Sequence, residues 1–323
     1  MSKDHKASAD KIKKTGTKLA TDILKFFVMT GLSFIILYPV YKMFASAFMS
    51  KLDMLDSSVF LIPKNFSVYS FMISSSMIGY FESLRNSLVL SITIAIIQLI
   101  TCTMVGYGFA RFHFPFKRIL FALVIFTFVV PPQLYMSSLF IRFKFFDLLG
   151  IIELVTGTPL NLIDASYTPL YLLSLTGNGI KNGLFIYIFR QAFRNLPKEL
   201  EEAAYVDGAG VFRVFAGIML PNLTAVVITV GLFSLVWQYN DSFYSGFLLR
   251  SPNLLVLQYN ILYHWDVRYL PNYGLTDAEI YNPVFATSVR SAAAIIIIAP
   301  IVGIYMSVQR FFTESLERSG ITG

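Results

Sequence analysis

The sequence predicts an all-α integral membrane protein with six transmembrane helices and both termini in the cytoplasm. Three observations carry that expectation. Of the 323 residues, 55% are hydrophobic and 14% charged, with mean hydropathy +0.63, far from the balance of a soluble domain. Six stretches could form a helix across a hydrocarbon core of about 30 Å, which takes about 20 apolar residues: 23–48, 86–110, 119–141, 166–193, 222–242 and 284–309. Lysine and arginine gather in alternate connections, the asymmetry that marks the cytoplasmic side. Helices follow because an open sheet would leave its edge unpaired in lipid.

The N-terminal tail carries Lys3, Lys6, Lys11, Lys13, Lys14, Lys18 and Lys25. The first span lacks a small-residue cleavage site and reads as a retained signal anchor. It ends near Tyr38-Pro39-Val40-Tyr41, where tyrosines suit an interfacial belt. An outer connection, 49–84, holds an amphipathic stretch from Met72 to Phe81 expected along the surface. In the second span Gly106 and Gly108 mark close helix approach, and Arg111, Lys117 and Arg118 place the next turn inside.

The third span carries Pro131-Pro132, which must kink it in its outer half. Outside again, 142–165 turns at Gly150 and at Thr156-Gly157-Thr158-Pro159. The fourth span is interrupted by Thr176-Gly177-Asn178-Gly179-Ile180-Lys181-Asn182-Gly183. Discontinuous membrane helices are places where transported solutes sit. Arg190, Arg194, Lys198 and Arg213 put the following connection inside, and 243–283 forms the longest outer connection, with short surface helices. Arg310 and Arg318 return the C-terminus to the cytoplasm. The expected divisions are a basic tail 1–22, one membrane domain 23–311 and a C-terminal tail 312–323.

The formal charge of +7 sits beside spans, where anionic headgroups attract it, so nucleic-acid binding is a poor reading. The single Cys102 excludes an internal disulfide. His5, His113 and His264 are scattered, and neither a metal-ligand spacing, paired carboxylates nor a nucleophile elbow occurs, which excludes the common membrane enzymes. No Gly-rich Lys-Ser/Thr phosphate loop is present, so nucleotide hydrolysis has to come from elsewhere.

The connection 197–221 is charged and helix-prone. Pro197 sets a helix start, and Glu199, Glu201 and Glu202 in the first turn complement the positive end of the helix dipole. Asp207-Gly208 ends it, because glycine accepts the left-handed cap conformation. A second short helix runs from Phe212 to Ile218 before Pro221 opens the fifth span. Ala203 and Ala204 are small enough for another surface to approach closely.

Glu202-Ala203-Ala204, then Gly208, then Ile218, Leu220 and Pro221 resemble the cytoplasmic coupling loop of importer-type ABC permeases. The end of the chain, Gln309-Arg310-Phe311-Phe312 through Gly320-Ile321-Thr322-Gly323, is similar to the tail of the carbohydrate-uptake subfamily, with Ser315 and Glu317 where Gly and Thr are common. The resemblance implies a type I ABC importer permease of a bacterial cytoplasmic (inner) membrane, multi-pass and not catalytic by itself. It implies a second permease subunit, two ATP-binding cassette ATPases and an extracytoplasmic solute-binding protein as partners. ATP and Mg would bind the ATPases, with no cofactor on this chain. Glu201, Glu202, Ala203, Ala204, Asp207, Gly208, Ile218, Leu220 and Pro221 would form the ATPase-coupling surface, their acidic groups pairing with basic partner groups.

Polar groups inside a membrane are costly enough to suggest function. Asn178, Lys181 and Asn182 in the broken fourth span, Trp237, Asn240 and Asp241 at the end of the fifth and Arg290 in the sixth are the candidate solute path. Each could instead bond a neighbouring helix, Trp237 could anchor at the interface, and Lys181 could pair with Asp241. The buried cations Lys181 and Arg290 point to an acidic sugar. The family places a Trp-Asn-Asp/Glu-Phe-Leu cluster near this end of the fifth span. Here it is Trp237-Gln238-Tyr239-Asn240-Asp241-Ser242-Phe243. The competing readings are an ABC permease for a non-sugar solute and an ion-coupled secondary transporter. The second expects intramembrane carboxylates and an inverted repeat.

Overall fold

A computed structural model describes residues 2–164, 167–250, 252–263 and 273–320, with no account of the side chains of 2–17, 20, 261, 263 and 310–320. The first half runs α1 (Ser2–Ala47), α2 (Lys51–Leu55), α3 (Tyr69–Met77), α4 (Tyr80–Arg111), α5 (Lys117–Val129), α6 (Met136–Lys144), α7 (Ile151–Thr156) and α8 (Thr168–Leu175). The second runs α9 (Asn182–Asn195), α10 (Glu199–Val206), α11 (Val211–Val214), α12 (Thr224–Tyr239), α13 (Phe243–Leu248), α14 (Leu255–Tyr263), α15 (Asp277–Ile280) and α16 (Pro283–Gly320). Among the described residues no β-strand forms, only isolated bridges at Met49–Phe66 and Phe146–Leu160.

Among the described residues four helical stretches are long and apolar enough to cross a membrane: Thr21–Ala47, Tyr80–Arg111, Val211–Tyr239 and Pro283–Gln309. The other two expected spans are segmented. Val130 ends α5, because neither Pro131 nor Pro132 can donate to a helical ladder, and the chain restarts through a 3₁₀ turn, Pro132–Leu134, into α6. The double proline therefore ends the helix and does not merely kink it. The fourth span is α8 and α9 with a non-helical stretch between them. The second span begins at Tyr80, so the expected surface helix stops at Met77. α1 runs unbroken from the basic tail into the first span, through the boundary expected at 22/23. The expectations for His264, Trp265 and 321–323 lie outside the described residues.

The chain divides into two compact units. One holds residues 1–76 and 265–295. Here Ser50 caps α2 by accepting from the Asp53 amide at 3.2 Å, and Asp53 in turn accepts from the Asn65 backbone (2.9 Å) and side chain (3.1 Å). Glu279 closes a capping box with Thr276 at the head of α15 and also meets Lys51 at 2.6 Å and the Tyr69 hydroxyl at 3.0 Å. The Asn282 side chain donates to the Met54 carbonyl at 3.2 Å. The apolar side chains of α1 from Phe26 to Leu37 are exposed, a lipid- or partner-facing surface for a helix of this composition.

The other unit holds residues 77–264 and 296–323, centred on α4 packed against α9 and α12. Gly106 permits the closest approach, since a Cβ there would lie 2.6 Å from Phe189 Cβ and 3.1 Å from the Arg190 amide nitrogen. Gly108, also expected at a close approach, has only Phe112 within 4 Å of where its Cβ would be. Pro300 inside α16 deprives the Ile296 carbonyl of its helical donor, and the Tyr80 hydroxyl supplies one at 3.1 Å. A comparable repair precedes the fifth span. Residues Phe215–Met219 form a π-helical turn, closed by Leu220 N donating to Phe215 O at 2.9 Å, and a 3₁₀ turn follows at Pro221–Leu223. The Asn222 side chain takes up the Ile218 carbonyl at 2.7 Å. The second short helix therefore runs on into the span instead of stopping before Pro221.

Candidate functional site

The connection after α9 is a helical hairpin. α10 ends at Asp207, and Gly208 adopts φ +78°, the left-handed cap conformation the sequence predicts. Helical periodicity then sorts the side chains. Glu201 and Ala204 face inward and are buried. Glu202, Ala203, Asp207 and Pro221 face outward, and Ile218 and Leu220 are half-buried. Val206 and Phe212, 87% and 73% exposed, give the outward face an apolar knob that motif reading overlooked.

Beneath the hairpin an aromatic group clamps it to the spans. Tyr107 of α4 packs on Phe193 (5.2 Å) and Phe215 (5.1 Å), with Ala204, Val214 and Met219 buried in the same cluster. Beside it Arg111 Nε lies 3.3 Å from Glu201 Oε2, with only 9% and 11% of the two side chains exposed. The same guanidinium donates to the Leu196 carbonyl at 2.8 Å, at the C-cap of α9. Glu201 is therefore committed within the chain and is withdrawn from the outward acidic surface expected for it.

At the far end of α9, the break in the fourth span is a polar knot. Gln98 of α4 donates to the Ile180 carbonyl at 3.0 Å and to Asn182 Oδ1, and accepts from the Ser234 hydroxyl of α12. Asn182 donates onward to the Ser174 carbonyl at 3.0 Å. The Gln98, Asn182 and Ser234 side chains are essentially inaccessible, so each buried polar atom needs its partner. Gly179 fits because a Cβ would meet Ser174 Oγ at 2.8 Å and Gln98 Nε2 at 2.9 Å. Lys181 caps α9 at φ +61°, a left-handed conformation that is rare for a side-chain-bearing residue and is held here by its neighbours.

The knot forms one wall of a cleft of ≈ 950 Å³. Tyr135, Ser138 and Arg142 line the wall supplied by the 3₁₀ turn and α6; Asn178 and Lys181 line the other. Lys181 Nζ stands over the rings of Phe128 (5.2 Å) and Trp237 (5.7 Å), a cation–π arrangement that holds it at the rim. Asp147, also at the edge, accepts from the Ile152 amide at 2.9 Å and so caps α7.

Residues 102–318 match the family described as binding-protein-dependent transport system inner membrane component. The chain belongs to that family. Arabinooligosaccharides transport system permease proteins are 27% identical in Halalkalibacterium halodurans (93% of this chain, 98% of that protein) and 29% identical in Bacillus subtilis (92% and 94%). The maltodextrin transport system permease protein MdxG of B. subtilis is 24% identical over 95% of this chain and 98% of its own. A solved bacterial ABC transporter involved in the import of the acidic polysaccharide alginate shares the fold, with TM-score 0.67, 19% identity and coverage of 90% of this chain and 95% of that one. The first three of these relatives are permease proteins of their transport systems.

Within this permease the expected solute-path residues separate. Asn178, Lys181 and Asn182 line the cleft, and Trp237 lies under Lys181 Nζ while packing at a tilt against Phe185 and Phe233 at 5.6 Å each. Asn182 spends its side chain in the knot. Asn240 donates to the Val236 carbonyl of its own helix at 2.9 Å. Asp241 caps α13, accepting from the amides of Tyr244 (3.0 Å) and Ser245 (2.7 Å) and from the Ser245 hydroxyl (2.7 Å), so its pairing with Lys181 is not formed. Arg290 belongs to the other unit. Arg142 was missed because it reads as the first residue of the outer connection 142–165. The double proline before it is the signal that α6 is a separate element.

Proposed function

We propose that this chain is the membrane-spanning permease of an ATP-driven importer for an oligosaccharide, working with a second permease, two ATPase subunits and an extracytoplasmic binding protein. The segmented third and fourth spans cross the membrane as composite elements, which makes six crossings with both termini inside. The hairpin Glu199–Pro221 then lies at the inner face. Its outward row of Glu202, Ala203, Val206, Asp207 and Phe212 is the surface offered to an ATPase, with Gly208 as the elbow. That row on a hairpin fastened to α4 is the observation that supports this reading best. The names of the relatives favour a sugar over other solutes.

The cleft then opens in the outer half of the membrane, since α9 runs from Lys181 inward. Arg142 and Lys181 are cationic and Asp147 is engaged as a helix cap, so the cleft suits a sugar bearing a carboxylate. The cycle follows from the parts. Solute delivered outside enters when the permease pair opens outward on ATP binding, and hydrolysis returns the pair to the inward-open state.

Uptake by the complete complex in proteoliposomes, with labelled arabino-, malto- and uronate-bearing oligosaccharides, tests this. ATP- and binding-protein-dependent uptake of at least one is expected. Lys181→Gln with Arg142→Gln should lower uptake of the uronate by about tenfold, the effect of roughly 1.4 kcal/mol, and leave neutral sugars unchanged. No uptake of any oligosaccharide overturns the sugar assignment, and an equal response of acidic and neutral sugars overturns the acidic one.

A further inference from the structure

α4 carries a polar joint at each of two levels. At its last turn Arg111 holds Glu201 of the hairpin and the Leu196 carbonyl that ends α9. Further up the same helix Gln98 holds the Ile180 carbonyl and Asn182, on either side of Lys181 at the cleft wall. The two levels are about 20 Å apart at a rise of ~1.5 Å per residue.

Both joints are built from groups that are expensive to bury and cheap only when matched. The Arg111 and Glu201 charges are about nine-tenths covered, and losing either would strand the other in a low-dielectric setting. Their placement also suits the helix dipoles, a cation at the C-terminal turn of α4 and an anion in the first turn of α10. Gln98 and Asn182 are each 1% exposed and have exchanged water entirely for one another and for Ser174, Ile180 and Ser234. Between the joints α4 lies directly on α9, where a Cβ at Gly106 would come within 2.6 Å of Phe189 Cβ and 3.1 Å of the Arg190 amide nitrogen.

We infer that α4 is the rod that carries displacement of the hairpin to the cleft, with Arg111–Glu201 as its inner joint and Gln98–Asn182 as its outer one. The inference rests on the importer reading and deepens it by naming Arg111, Glu201, Gln98 and Asn182 as positioning residues. When the hairpin shifts, Glu201 draws the end of α4. The rod moves with α9, and Gln98 moves the loop that presents Lys181. A linkage of ordinary strength between two sites changes an equilibrium by about 5–150-fold, well within what a labelling rate resolves.

Ser138 lines the cleft, is exposed, and is free for use as a reporter, whereas the native Cys102 is fully buried. In the assembled complex carrying Ser138→Cys, the rate of maleimide labelling is measured without nucleotide and after trapping with ATP and vanadate. The rate should change several-fold on trapping when the joints are intact. With Glu201→Gln or Gln98→Leu that change should shrink to near unity while ATPase subunits still co-purify. Exchanging the charges by Arg111→Glu with Glu201→Arg should restore part of the response lost in either single change. A full nucleotide response in Glu201→Gln and Gln98→Leu overturns the rod and leaves the importer standing. No response even with intact joints overturns the importer reading and the rod with it. Should Glu201→Gln fail to assemble, Arg111→Lys, which keeps the charge, decides by the same measure.

Discussion

Lys51 and Glu279, from opposite ends of the chain, meet at 2.6 Å, with the Tyr69 hydroxyl 3.0 Å from the same carboxylate. Burial opposes ionisation of Glu279, but the bonds from Lys51, Thr276 and Tyr69 outweigh it and hold the group at about 2, below its ordinary 4.5. A carboxylate depressed on folding adds stability above its unfolded value and loses it as pH falls through the folded one. Protection of the 49–76 segment from hydrogen exchange should therefore be constant above pH 4.5 and decline toward pH 2. Glu279→Gln should flatten that decline.

Removing one member of the Arg111–Glu201 pair leaves a buried charge unmatched, at a cost of about 3–5 kcal/mol. Glu201→Ala should lower the unfolding temperature of the detergent-solubilised protein sharply. Replacing both by apolar residues, Arg111→Met with Glu201→Leu, should recover most of it, because no orphan charge remains. A double variant as unstable as the single would show that the hairpin needs the ion pair itself.

Gly179→Ala places a methyl group 2.8 Å from Ser174 Oγ and 2.9 Å from the Ser174 Cα, where backbone cannot yield easily. Overpacking of this kind costs about 1–3 kcal/mol. Gly303→Ala is the control, since φ is not left-handed at either position and nothing lies within 4 Å of a Cβ at Gly303. Thermal unfolding should separate them, with Gly179→Ala the less stable.

Gly208 has open space around it and φ +78°, so size is tolerated and conformation is not. A β-branched residue there is a conformational outlier, whereas asparagine enters the left-handed region readily. Gly208→Val should cut uptake per ATP hydrolysed at least several-fold, and Gly208→Asn should stay close to the parent. Equal uptake by both would remove the elbow from the coupling scheme.

Much of the hairpin was readable because its signals are local: acids in a first turn, a glycine at the cap, small residues at fixed spacing. The interruption at Thr176–Gly183 was readable for the same reason. What stayed hidden depends on distant partners. The inward turn of Glu201 needs Arg111, and the loss of Asn182 to the knot needs Gln98. The role of Asp241 as a cap needs the short α13 that composition alone blends into a loop. The third span looked kinked and not ended because apolar residues flank Pro131 and Pro132 on both sides. Hydropathy counts such residues without asking whether their amides are bonded.

A π turn holds one residue more than an α turn, and each residue winds a helix by about 100°. Phe215–Met219 thus offsets the phase of everything before it relative to the fifth span after it. The compass direction in which Glu202 and Ala203 point is set by that single surplus residue as much as by their own helix. A deletion within the turn would keep every contact type while aiming the outward knob of Val206 and Phe212 in another direction.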